Sequence, residues 1–182
     1  MRVIGVLVSG EGTNLQALLE AGLPVVAVAS NKPDAGALAR ARAAGVATAS
    51  FALEDFPDRE ARDAAMAAWL ADRGVGLVVL AGFMHLLTTA FLERFQDRIV
   101  NVHPSLLPAF PGAHAVEDQL AAGVAESGAT IHLVDEGVDS GAILRQERVP
   151  VVAGDTPETL HERIKRVEHR LLPRVVRDLC AR

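Results

Sequence analysis

Cysteine is nearly absent: Cys180 is the only one in 182 residues, which excludes an internal disulfide and any zinc site built on thiolates. A lone thiol fits a reducing compartment, so a cytoplasmic location is expected. Long apolar runs are also missing. The opening Met1-Arg2-Val3-Ile4-Gly5-Val6-Leu7-Val8 has the charge and apolar stretch of a secretory leader, but it reaches Ser9-Gly10-Glu11-Gly12 too soon and no small-residue cleavage site follows. It reads as a first buried strand. No run approaches the roughly 18 apolar residues that span a bilayer, so no membrane partner is expected. Lysine occurs only at Lys32 and Lys165, the other sixteen of the 18 basic residues being arginine. These are scattered among 23 acidic residues for a net charge of −5. With no basic stripe to meet a phosphate polymer, nucleic-acid binding is excluded as a general function.

What is present is an ordinary globular composition, half hydrophobic and 23% charged. At this length a single core can bury about 70% of the unfolded chain's surface. Short β-branched runs alternate with Ala-rich runs of helical period. Val3–Val8, Pro24–Ala29, Val46–Ser50, Val75–Leu80 and Ile99–Val102 read as strands, and Asn14–Ala21, Ala35–Ala44, Asp58–Asp72 and Thr88–Phe95 as helices. Thr13 or Asn14 is expected to cap the first helix, and Gly22 to end it. Beyond residue 103 the pattern changes: Pro104, Pro108 and Pro111 exclude a helix or central strand there. Ala129–Val134 and Ala142–Val149 then read as a closely spaced antiparallel pair, and Thr156-Pro157-Glu158 opens a long terminal helix. The fold class is α/β: an open, mostly parallel twisted sheet with helices on both faces and an antiparallel addition in the C-terminal half. One domain is expected over 1–182, with a phosphate-binding half, 1–100, and a catalytic half, 101–182.

Ser9-Gly10-Glu11-Gly12-Thr13-Asn14 joins the first strand to the first helix. Glycines admit an anion close to the backbone, and the helix start supplies free amides and partial positive charge. A dinucleotide site fits poorly, because Leu15 stands at the third glycine position and Ala29-Ser30-Asn31 offers no acidic residue for a ribose. A phosphate monoester held by Gly12, Thr13 and Asn14 fits better. The competing reading is that these are turn and cap residues.

Asn101-Val102-His103-Pro104 ends the fifth strand. Residues two apart share a strand face, so Asn101 and His103 can enter one cleft, and Pro104 keeps His103 extended. An amide beside an imidazole suits acyl transfer, one donating to an oxyanion and the other moving protons. A buried His satisfied by a carbonyl is the alternative. Asp139, in Val138-Asp139-Ser140-Gly141, is either a turn residue or a charge that favours the imidazolium of His103. His85, His114, His132, His161 and His169 show no metal-ligand spacing, and no metal is assigned. No Ser sits in a G-x-S-x-G elbow.

The motifs S-G-x-G-T-N, A-G-F-M, N-V-H-P-S-L-L-P, F-P-G and D-x-G, in this order from Ser9 to about Pro173, resemble the phosphoribosylglycinamide formyltransferase family of folate-dependent enzymes. The resemblance implies transfer of the formyl group of 10-formyltetrahydrofolate to the amine of 5-phosphoribosylglycinamide, in de novo purine biosynthesis. It implies that Gly12, Thr13 and Asn14 hold the substrate phosphate and that Asn101, His103 and Asp139 are the catalytic trio. It places the folate on Arg59, Met84, His85, Leu86, Leu87 and Asn101, under the loop before Asp139. Met84 and Glu168 would lie near the glycinamide and its amine. No metal and no covalent enzyme intermediate are implied, the partners are the two small molecules, and the chain is expected as monomer or homodimer. Two positions depart from the pattern: His85 stands where relatives often carry Arg, and Ala109 where a basic residue often follows L-L-P. A folate hydrolase is the first rival, expected to carry a regulatory domain ahead of the first strand. A methionyl-tRNA formyltransferase would carry a basic C-terminal domain, and a non-catalytic phosphate-binding module is the third alternative.

Overall fold

The structure, a computed structural model, describes Met1–Ala181. Strands Val3–Val8 (β1), Val25–Ser30 (β2), Ala47–Ser50 (β3), Val75–Leu80 (β4) and Ile99–His103 (β5) run parallel, and Glu126–Leu133 (β6) and Ile143–Pro150 (β7) pair antiparallel at one side. They form one sheet in the order β3-β2-β1-β4-β5-β6-β7. The helices are Thr13–Glu20 (α1), Gly36–Ala43 (α2), Arg59–Ala71 (α3), Thr89–Leu92 (α4), Ala115–Ala121 (α5) and Pro157–Cys180 (α6). The expected open α/β sheet with its antiparallel addition is what forms.

The inner strands are apolar on both faces because helices cover both. On one side α1, α2 and α6 pack Leu15, Leu18, Leu38, Leu172 and Val176 against Ile4, Val6 and Val79. On the other, Met66 and Leu70 of α3 join Phe91 and Phe95 against Leu7, Val78 and Ile99. The chain winds outward from β1 to β3 and then returns to lay β4 beside β1. This reversal opens a crevice beyond the carboxyl ends of β1, β4 and β5, the usual ligand position in such sheets.

Three local features differ from the sequence expectation. The cap of α1 is Gly12, at φ 79°, and no described side chain caps that end. A Cβ at Gly12 would come within 2.5 Å of Ala37 Cβ, so the close approach to α2 itself requires glycine. The helix expected over Thr88–Phe95 is a single turn, Thr89–Leu92, and α5 forms where no helix was assigned. The terminal helix starts as expected, with Thr156 accepting from the Thr159 amide and Pro157 in the first turn.

Candidate active site

The crevice is a cavity of about 740 Å³ lined by the loop after β1, the segment after β4, the end of β5, and α6. At one end lies Gly10–Asn14. The loop is tied to α2 by Ala37 N to Gly10 O at 3.0 Å and Arg40 Nε to Glu11 O at 2.8 Å. Thr13 and Asn14 sit in the first turn of α1, where the backbone amides point outward. The Asn14 side chain points across to α6, donating to Glu168 Oε2 at 2.9 Å. Its Oδ1 is buried without a hydrogen-bond partner among the described residues. Glu168 is only 3% exposed, and burial pushes its carboxyl up, against the opposing Asn14 hydrogen bond and Lys165 charge. Lys165 lines the same wall and pairs with Glu162 at 2.8 Å.

At the other end, antiparallel register sets Asn101 opposite His132 and His103 opposite Thr130. Alternation puts all four on the cleft side, while Val100, Val102 and Ile131 enter the core. Asp139, in the left-handed region at φ 51°, closes the cluster from the loop after β6. Its Oδ2 lies 3.3 Å from His103 Nδ1 and accepts the Gly112 amide at 2.8 Å. Its Oδ1 lies 3.4 Å from His132 Nε2 and accepts from Asn101 Nδ2 at 3.3 Å. Burial would raise the Asp139 carboxyl, but the bonds from His132 and Gly112 and the charges of both histidines outweigh it and hold it at about 2.

His103 Nε2 faces the Phe110 carbonyl at 2.8 Å, so both ring nitrogens meet acceptors and the doubly protonated ring satisfies both. His132 Nδ1 faces the Leu133 carbonyl at 2.8 Å, which assigns its proton there. Its Nε2 lies 3.2 Å from Asn101 Nδ2 as well as 3.4 Å from Asp139 Oδ1. Asn101 is thereby oriented by two partners, its amide aimed between them at the cavity wall. Behind the cluster, Thr130 Oγ1 donates to Ser105 O and Gln119 Nε2 to Pro104 O, fixing the segment that follows His103.

Of the residues expected from sequence, Gly12, Thr13, Asn14, Met84, His85, Leu86, Asn101, His103, Asp139 and Glu168 all line this one cavity. Arg59 and Leu87 do not. Arg59 borders a neighbouring groove with Phe56 and Thr88 and reaches the cleft segment through Leu86 O, while Leu87 packs onto the core beside Phe83. From sequence, His132, Lys165 and the Gly112 amide have no expected site role. The available signal for His132 was a polar residue alternating with Ala129 and Ile131 in a half-buried strand. Among the described residues, no group of three His, Cys, Asp or Glu is arranged to hold a metal, and no helix is long and apolar enough to cross a membrane.

Residues 1–176 match the formyl transferase family. A phosphoribosylglycinamide formyltransferase of Mycobacterium tuberculosis is 49% identical over 180 residues, 96% of this chain and 83% of that protein. A trifunctional purine biosynthetic protein adenosine-3 of Drosophila pseudoobscura is 44% identical over 186 residues, of which this chain spans 14% of the length. The crystal structure of phosphoribosylglycinamide formyltransferase from Streptococcus pneumoniae superposes with a TM-score of 0.95 at 44% identity, covering 98% of this chain and 99% of that one.

Proposed function

This chain belongs to the formyl transferase family, and on that premise we propose that it transfers the formyl group of 10-formyltetrahydrofolate to the amine of 5-phosphoribosylglycinamide. The step belongs to de novo purine biosynthesis. The observation that carries the reading is one cavity with a phosphate-sized helix-start loop at one end and an Asn–His–Asp–His cluster at the other.

Gly12, Thr13 and Asn14 hold the substrate phosphate through the amides that open α1, with Lys165 adding a cation. Glu168 receives the neutral substrate amine as a hydrogen-bond partner, and the Lys165 charge favours its ionised form. Met84, His85 and Leu86 form the wall for the folate, near Asn101. Arg59 acts from the adjoining groove, and Leu87 supports the wall from the core. The neutral amine attacks the formyl carbon, and Asn101 Nδ2 donates to the oxygen as negative charge gathers there. The His103–Asp139 pair places a positive ring beside the same centre. Collapse breaks the bond from carbon to the folate N10, the proton lost by the amine ends on N10, and tetrahydrofolate and the formylated amide leave. No covalent enzyme intermediate enters this sequence.

We further propose a single catalytic domain over 1–182, with the phosphate loop in 1–100 and the catalytic trio in 101–182. A core cluster drawing residues from both halves supports it. A cytoplasmic enzyme working as monomer or homodimer fits the free, buried Cys180.

The deciding measurement is release of tetrahydrofolate from 10-formyltetrahydrofolate with and without the phosphorylated glycinamide. Acceptor-dependent release with formylated product is expected. Formate release that ignores the acceptor would replace the transferase reading with a hydrolase.

A further inference from the structure

Side chains from two directions converge on the irregular segment between β4 and α4. From the first turn of α3, Arg59 donates to Leu86 O at 2.5 Å, Arg62 meets His85 Nδ1 at 2.6 Å, and Asp63 accepts the Thr88 amide at 2.7 Å. Their i, i+3, i+4 spacing puts all three on one helix face. From the β1 and β2 ends, Ser9 Oγ accepts the Met84 amide at 2.9 Å and donates to Asn31 Oδ1 at 2.5 Å, and Asn31 Nδ2 stands 3.3 Å from His85 Nε2. Arg62 and Asp63 are both fully buried and are paired at 2.6 Å.

His85 thus stands between the Arg62 guanidinium and the Asn31 side-chain amide. A guanidinium has no lone pair and stays charged, so at 2.6 Å it requires Nδ1 to be the acceptor. A ring with a bare Nδ1 is neutral and carries its proton on Nε2. Nε2 is then directed at the Asn31 side-chain amide, 3.3 Å away. A second proton would have to enter Nδ1, against Arg62. Burial opposes it first, then the charges of Arg62, Arg59 and Lys32, with Asp63 alone favouring it, and the His85 pKa is lowered accordingly.

We propose that Arg62 and His85 are a positioning pair for the formyl donor: Arg62 keeps His85 neutral, and the neutral ring fixes the Met84–Leu86 wall against which the folate lies. The proposal rests on that segment being the folate wall. Protonating His85 sets two positive groups 2.6 Å apart, so the ring must leave Arg62 and the wall loses its middle anchor.

The test joins nitrogen-15 NMR of the His85 ring in the whole protein with tetrahydrofolate binding across pH, in the parent and in His85→Gln. At neutral pH the ring is expected neutral with its proton on Nε2. Below its titration point, tetrahydrofolate binding should weaken about tenfold per pH unit in the parent, as the competent fraction falls. In His85→Gln, whose amide can accept from Arg62 but not titrate, affinity should be lower at neutral pH and the acid limb absent. Binding of the phosphorylated glycinamide should change far less in either protein. A proton on Nδ1, or an acid limb that survives in His85→Gln, overturns the pairing. Failure of acceptor-dependent formyl transfer would sink the functional reading alone, since the ring's tautomer is measured without any substrate.

Discussion

His103 and His85 face the same cavity from neighbouring strand ends, and their surroundings are inverted. His103 lies between the Asp139 carboxylate and the Phe110 carbonyl, two acceptors that a doubly protonated ring satisfies. His85 lies between the Arg62 guanidinium, a fixed donor that rejects a second proton, and the Asn31 side-chain amide. One imidazole is set among acceptors, the other against a cation. Residue type alone does not separate them; the partners do, nearby Phe110 and Asp139 from the loop after β6 for one, Arg62 of α3 and Asn31 at the end of β2 for the other.

The largest expected effect comes from the charged side. His103→Ala and Asp139→Asn should each slow turnover by about 10²–10⁴-fold, the usual scale for a general acid–base group. On the proposed mechanism the two act as a unit, so the double variant should be little worse than the poorer single one, as read from kcat in all three proteins. Multiplicative losses would separate the two residues. Asn101→Ala removes one preorganised oxyanion donor and should cost about 10²–10³ in kcat with the fold intact by circular dichroism. Retention of most activity would remove Asn101 from the chemistry.

On the uncharged side the first readout is stability. Arg62→Leu leaves Asp63 buried without its guanidinium, and loss of one partner of a buried pair typically costs about 3–5 kcal/mol. Urea denaturation should show it, whereas a shift under about 1 kcal/mol would mean that Asp63 is satisfied by the Thr88 amide alone.

The smallest effect sharpens a second contrast, between two carboxylates. Glu168 is raised by burial, so its cost to the fold is absent below the ordinary Glu value and grows as pH rises from there to the folded one. Glu168→Gln should therefore raise the melting temperature near pH 7.5, by a few degrees at about 1 kcal/mol, and change it little near pH 4. It should also raise KM for the glycinamide substrate more than for the folate. Asp139 runs the other way: held at about 2, it stabilises the fold above the ordinary Asp value and loses that contribution as pH falls from there toward 2. Melting curves that move together with pH in Glu168→Gln and Asp139→Asn would erase the contrast.

The strand–loop–helix at Ser9–Asn14 and the proline-stopped strand at Asn101–Pro104 were legible because their signals are local: glycine at a helix start, period-two polarity, a ring that blocks αR geometry. His132 was not, since its role depends on the β5–β6 register that sets it opposite Asn101. Arg62 was hidden more deeply. On a helix with an exposed face, an arginine reads as solvated, and its complete burial follows only from the meeting of α3 with the segment after β4. Asn14 reads as a cap and instead spends its side chain on Glu168, 154 residues away. Helix α5 follows a stretch of three prolines and is only seven residues long, too short for a periodic pattern to announce it.

The segment from Met84 to Thr88 has no regular secondary structure, yet its Met84 and Thr88 amides are bonded to Ser9 Oγ and to the buried Asp63. In hydrogen exchange these two amides should behave like strand amides, opening only when α3 lifts from the sheet. A ligand that settles on such a wall has little chain left to order. Its binding entropy is spared the cost of immobilising a loop, and calorimetry of tetrahydrofolate binding should record a correspondingly small entropic penalty.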